Sequence, residues 1–222
     1  MITRIGKLLR AEQVRTLRAL LQAAEFEDGR NTASGQAAAV KRNLQLPRES
    51  PARRQADQIV SQAIQASARF REVTFARTLA PPTYNRYDVG MEYGSHVDAP
   101  FVSDGKLRAD ISMTIFLSDP ADYDGGELVL EEGAAETRVK YEAGDAVVYP
   151  TTARHYVAPV TRGSRLAAVS WIQSFVPEPE RRRILVELQD AKAEIEERLP
   201  EAESTLLLRN AFYNLVRMWW QP

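Results

Sequence analysis

With 222 residues, 44% of them apolar and 27% charged, and a formal net charge of −1, the chain has the makeup of a soluble globular protein with room for a substantial core. A near-neutral charge argues against nucleic-acid and membrane-surface partners, which call for a basic excess. The lack of any cysteine excludes disulfides, iron–sulfur clusters and thiolate chemistry, and only two histidines, His96 and His155, are open to a mechanism that needs one.

The opening segment, MITRIGKLLRAEQVRTLRALLQAA, meets a charge every few residues, so it is no signal-peptide core. No stretch approaches the roughly 20 apolar residues of a membrane span, and a cytoplasmic location is expected. Leu9, Val14, Leu17, Leu20, Leu21 and Ala24 recur at helical spacing. A polar loop is predicted over Asp28–Gly35. Ser50-Pro51 reads as an N-cap followed by a first-turn proline, opening a second helix with a stripe of Ala56, Ile59, Val60, Ala63 and Ile64.

From about Glu72 the period shortens. Strands are predicted at Val73–Leu79, Pro82–Tyr87, Ser95–Asp98, Ile111–Leu117, Glu127–Leu130, Thr137–Tyr141, Ala146–Pro150, Tyr156–Val160 and Leu166–Ser174. Glycine- and aspartate-bearing turns divide them, and no helix intervenes, which indicates an antiparallel sandwich or barrel. Helical periodicity returns after Pro177, with Ile184, Leu188, Ala191 and Ile195 on one stripe up to Pro200. A last helix carries Leu208, Phe212, Leu215 and Trp219. The basic run Arg181-Arg182-Arg183 reads as a solvated face. The expected organisation is α+β: a helical region over 1–71, an antiparallel core over 72–176 and a helix pair over 177–222, whose aromatic face either caps the core or joins two copies.

His96 and Asp98 stand two apart, and on a strand both would leave the same face. His155, at the start of a later strand, completes two imidazoles and one carboxylate. This is the ligand set of a non-haem Fe(II) facial triad, which leaves three octahedral positions open. A chelating 2-oxo dicarboxylate would fill two of them, and its remote carboxylate would need a guanidinium, for which Arg165 is the candidate. Pointing Arg165 and His155 into one cavity calls for a hairpin with loop Thr161-Arg162-Gly163, placing His155 opposite Val169. Two imidazoles and an acid also suit zinc, so a hydrolase, a cupin-like metal enzyme and a non-catalytic sensor stay open.

His96-Val97-Asp98, His155 and Arg165 together resemble the His-x-Asp…His…Arg signature of the 2-oxoglutarate oxygenases. Arg86-Tyr87-Asp88-Val89-Gly90-Met91-Glu92-Tyr93-Gly94 is similar to the tyrosine- and glycine-bearing strand of the prolyl 4-hydroxylase branch. The likeness is greatest to the bacterial PKHD-type hydroxylases, which include the PiuC proteins associated with iron uptake. It takes in Gly125-Gly126-Glu127-Leu128 and Gly144–Pro150 and runs nearly the whole length. The resemblance implies a double-stranded β-helix (jelly roll) with flanking helices, Fe(II) as cofactor, 2-oxoglutarate and dioxygen as cosubstrates, and ascorbate as reductant. It implies His96, Asp98 and His155 as iron ligands and Arg165 as the carboxylate-binding residue, joined by Tyr87. Thr114 is a further candidate for the 2-oxoglutarate pocket. A small-molecule or peptide substrate is expected to enter over Ala99–Lys106 and near Arg154.

Overall fold

Residues 1–32 and 35–221 are described in the computed structural model, the side chain of Glu132 excepted; Ala33 and Ser34, in the loop predicted over Asp28–Gly35, lie outside the described residues. The two N-terminal apolar stripes become α1 (Ala11–Gln22) and α3 (Pro51–Ala66), the latter with its proline in the first turn. Between them run a 3-10 turn at Gly29–Thr32 and a short helix α2 (Gly35–Ala39). Residues 1–71 are not purely helical, because they also supply β1 (Thr3–Ile5), β2 (Glu27–Asp28), β3 (Lys41–Arg42) and β4 (Leu44–Gln45).

The strand predicted from Val73 begins later. Ser67 caps α4 (Ala68–Thr74) by accepting a hydrogen bond from the Phe70 amide at 3.1 Å. That helix ends on Phe75, whose φ of 46° lies in the left-handed region. Phe70 and Val73 are buried from the helix, so local apolar content alone did not reveal which period was in use.

The strands then follow as β5 (Ala76–Leu79), β6 (Thr83–Tyr87), β7 (Glu92–His96), β8 (Phe101–Val102), β9 (Leu107–Arg108), β10 (Ile111–Phe116), β11 (Tyr123–Gly125), β12 (Leu128–Glu132), β13 (Ala135–Val139), β14 (Ala146–Pro150), β15 (Arg154–Val157), β16 (Val160–Gly163) and β17 (Arg165–Ser174). Most of them make two facing antiparallel sheets, while β8 with β9 and β11 with β16 form separate two-stranded pairs. The larger has the order β1-β14-β10-β17-β6-β4-β2, with β5 also on β17, and the smaller the order β13-β12-β15-β7-β3. This is the jelly-roll arrangement that the resemblance implied.

Alternation sorts the larger sheet's side chains. Met113, Ile115, Val148, Ala168 and Ile172 point outward and pack under the helices against Leu17, Leu21, Val60, Ala63 and Phe70. Ser112, Thr114, Tyr149 and Arg165 belong to the opposite parity and face the smaller sheet.

The expected hairpin between the strands of His155 and Arg165 does not form. His155 pairs with Leu130 and His96 in the smaller sheet, while Arg165 pairs with Tyr87 in the larger. β16 lies between them and pairs instead with β11. Gly163 is required for that pairing, with φ +70° and a Cβ position that would come within 2.0 Å of the Asp122 carbonyl oxygen. Arg162 then pairs with Asp124 at 2.7 Å. Both predicted residues still face inward, because the inner faces of two facing sheets meet.

α5 (Pro179–Arg198) and α6 (Glu203–Trp219) form the C-terminal pair. Their shared core is Val176, Leu185 and Phe212, and Phe175 stacks on Trp220 at 4.0 Å. Ala191, placed on the buried stripe by periodicity, is exposed. The basic run is also corrected at one position. Arg182 is 4% exposed and donates to the carbonyls of Val176 and Pro177 at 2.6 Å and of Asp110 at 3.2 Å, closing a chain end that would otherwise leave carbonyls unpaired. Burial draws its guanidinium down to about 10.

Candidate metal centre and cavity

The smaller sheet brings the two histidines side by side. β7 and β15 are neighbours with His96 directly opposite His155, and the ring centroids lie 4.3 Å apart. The pairing carries a bulge, since Val157 stands opposite Tyr93, so three residues of β7 span what two of β15 span. Regular alternation would put Tyr93 and His96 on opposite faces. The bulge puts both into the cavity, with the rings stacked at 3.7 Å.

Asp98 is not on the strand. β7 ends at His96, so the same-face argument from Ser95–Asp98 fails, and Val97 is half exposed. The carboxylate is brought back by a contact from the other sheet: Ser112 donates to Asp98 Oδ2 at 2.6 Å, and the Ser112 and Thr151 hydroxyls hydrogen-bond at 3.2 Å. Sequence reasoning missed Ser112. Its parity with Thr114 on the predicted strand was the available signal.

The candidate ligand atoms of His96, Asp98 and His155 all lie within 4.8 Å of one another. Each histidine Nε2 is 3.8 Å from an Asp98 oxygen, too far for a direct hydrogen bond and open to a shared third partner. Each Nδ1 faces a backbone carbonyl, Gly94 at 2.8 Å and Ala153 at 3.0 Å. A donated Nδ1 hydrogen leaves the Nε2 lone pair pointing at the common centre, the second-sphere arrangement usual for metal-binding histidines. Burial, and next the neighbouring His155, lowers His96 to about 4, so its imidazole is neutral near pH 7.

The cluster opens into a cavity of about 750 Å³ that runs between the sheets. Arg165 lies on its wall, 1% exposed, with its guanidinium 5.1 Å from the Tyr87 ring centre and 5.7 Å from that of Phe116. Among the described residues its Nε has no hydrogen-bond partner and no carboxylate pairs with it. A buried, uncompensated guanidinium is costly unless an anion joins it. Tyr87 and Thr114 both line this cavity, buried. Burial raises the Tyr87 phenol above its ordinary range, against the charge of Arg165. Tyr149 was not anticipated: it sits edge-on to His155 at 5.1 Å, and its phenol is pushed well up by burial and then by Asp98. Ala99, Phe101, Val102, Ser103 and Asp104 of the expected entry loop line the cavity, whereas Arg154 pairs with Glu131 outside it.

Two imidazoles and one carboxylate meeting from one side fit a divalent iron that keeps open positions, and the orphaned Arg165 fits the far end of a dicarboxylate. A sequence profile of the 2OG-Fe(II) oxygenase superfamily matches residues 82–173, the span that holds the whole cluster and Arg165. The solved prolyl-4-hydroxylase of Pseudomonas putida shares the fold, with a TM-score of 0.56 and 22% identity over 78% of this chain and 92% of that one. Fold, cluster and profile together define an Fe(II)- and 2-oxoglutarate-dependent oxygenase, an oxidoreductase.

The relatives narrow the class. The chain is 43% identical to a PKHD-type hydroxylase of Gluconacetobacter diazotrophicus over 99% of both lengths, and 42% identical to one of Delftia acidovorans over the full length of both. It belongs to the PKHD-type hydroxylase family.

Proposed function

We propose that the chain couples oxidative decarboxylation of 2-oxoglutarate to succinate with hydroxylation of a C–H bond on a separate small-molecule or peptide substrate. One observation carries the reading: a His–Asp–His cluster and a buried arginine that has no counter-ion among the described residues open into the same cavity. In this reading His96, Asp98 and His155 hold Fe(II), Arg165 holds the remote carboxylate of 2-oxoglutarate, and Tyr87 and Thr114 are further donors to it. When bound, iron and 2-oxoglutarate supply the oxidising power to place one atom of dioxygen into a C–H bond.

The protein's own part is positioning and exclusion of water. The Gly94 and Ala153 carbonyls fix the imidazole tautomers, and Ser112 fixes one Asp98 oxygen while the other stays free. Tyr87 and Phe116 flank the guanidinium so that its donors keep one orientation. A zinc hydrolase would leave Arg165 buried with no anion to bind.

Residues 72–176 form the catalytic core in this reading, with 1–71 and 177–222 as its flanking layers. Ascorbate supports turnover, the enzyme works in the cytoplasm, and the PiuC resemblance links it to iron uptake. Among the described residues no helix is long and apolar enough to cross a membrane. Leu206, Leu207 and Met218 stand exposed on α6 and support contact between two copies; light scattering of the full chain with Leu207→Glu tests this.

The function itself is tested by anaerobic titration with Fe(II) and 2-oxoglutarate, watching the visible charge-transfer band of the chelate, followed by oxygen and a succinate assay. A band that weakens in Arg165→Ala and His155→Ala is expected. A wild-type chain without a band would sink the reading.

A further inference from the structure

The cavity holds a second buried cation that the iron and 2-oxoglutarate assignments leave unused. Lys41 is 5% exposed and lines the cavity from β3, at the edge of the smaller sheet, on the side opposite Arg165. It pairs in register with Tyr93, and its ammonium lies 5.3 Å from the centre of that ring, which also stacks on His96. One aromatic ring therefore touches both Lys41 and the metal cluster.

Its hydrogen bonding is incomplete. An ammonium has three donors, and among the described residues Nζ has one partner, Thr32 Oγ1 at 3.1 Å. Among the described residues no carboxylate lies within 4 Å of it. Burial draws the amine down to about 8, against the pull of Asp98 and Asp28, so it still carries its charge near pH 7.

A second observation points the same way. The cavity-lining side-chain atoms buried without a partner among the described residues are Arg165 Nε and Trp171 Nε1, and both are donors. The polar side chains beside Lys41 already have partners, since Thr32 donates to Gln45, and Gln45 donates to Asn85 at 2.7 Å. A group that settles against Lys41 must therefore bring its own acceptor and negative charge. Leu46, Phe101, Val169 and Trp171 supply apolar wall beside these groups.

We propose that Lys41 is the specificity residue of this oxygenase, taking the carboxylate of a small monocarboxylic substrate with an apolar body, while Arg165 takes the remote carboxylate of 2-oxoglutarate. The inference rests on the oxygenase reading. Arg53, also on the lining, is engaged by Asp57 and the Pro82 carbonyl, and Arg48 is exposed, so Lys41 is the buried charge left for the substrate; one ammonium neutralises one negative charge, which favours a carboxylate over a phosphate dianion. Held there, the substrate lies against Tyr93 and beside His96, which brings its C–H bonds to the open side of the cluster.

The test uses the full chain, anaerobic, with Fe(II) and saturating 2-oxoglutarate. Calorimetry measures binding of two matched pairs, N-acetyl-L-leucine with its amide and benzoate with benzamide. The carboxylates should bind about tenfold or more tightly than the amides. Lys41→Met should abolish that preference and leave both the chelate band and 2-oxoglutarate affinity at the wild-type level. Lys41→Gln, which keeps the stem and a donor, serves if the methionine variant does not fold. Carboxylates and amides binding alike, neither binding, or Lys41→Met weakening the chelate band as Arg165→Ala does would each overturn the proposal. A missing chelate band in the wild-type chain strikes the oxygenase reading instead, and the carboxylate–amide comparison still decides Lys41.

Discussion

The two faces of the larger sheet come from the same strands and do opposite work. Along β10 the residues Met113 and Ile115 enter an aliphatic layer beneath α1 and α3, while Ser112 and Thr114 face the cavity. Along β14 Val148 joins the helix layer, and Tyr149 stands against His155. The outer face stabilises by removing apolar area from water, at roughly 25 cal/mol per Å². The inner face keeps polar groups buried and, among the described residues, in part unpaired, at a cost that the outer face offsets. Changes on the two faces should therefore separate function from stability.

The largest effect is expected from His155→Ala. In the proposed reading it removes one of three iron ligands, and turnover should fall by about a thousandfold or more. The melting temperature of the metal-free chain should fall little, because the lost ring faces a cavity. A collapse of stability in that variant would break the comparison. Met113→Ala should do the reverse. The side chain is fully buried in the helix layer, and urea denaturation should show a loss of about 2–5 kcal/mol. The chelate band of the folded fraction should be unchanged.

Ser112→Ala tests the inner face more finely. Asp98 loses the donor that returns it to the cluster, and iron affinity should drop about ten- to a hundredfold with the fold intact. The smallest effect is that of pH on the metal-free chain. His96 is lowered to about 4 when folded, from an ordinary value near 6.5. Between these values the unfolded chain binds the proton and the folded chain does not. The contribution is therefore complete above about pH 6.5 and is lost as pH falls toward 4, on the order of 2 kcal/mol. Denaturant melts of the chelator-treated chain across that window should show the loss, and His96→Gln should remove it.

The inventory of chemistry was legible in the sequence because it is a matter of composition and local order. With only two histidines in the chain there are few ways to build an iron site, and His96, Asp98, His155 and Arg165 meet in one cavity. Period also showed for most stretches which were strand and which helix. It failed at Val73, where a capped helix and a strand are both apolar, and at Arg182, whose carbonyl partners are contributed by segments far apart in sequence.

Partnership across the fold was decided only by the tertiary structure. Asp98 reaches the cluster through Ser112 of the other sheet and not by strand alternation. Tyr93 joins His96 because a bulge against β15 breaks the alternation. The strands of His155 and Arg165 lie in different sheets because Val160–Gly163 finds its match in Tyr123–Gly125. Period along a chain follows from the backbone of each residue alone. Which strand lies beside which, and in what register, follows from burial and hydrogen bonding among segments distant in sequence, and no local pattern records it.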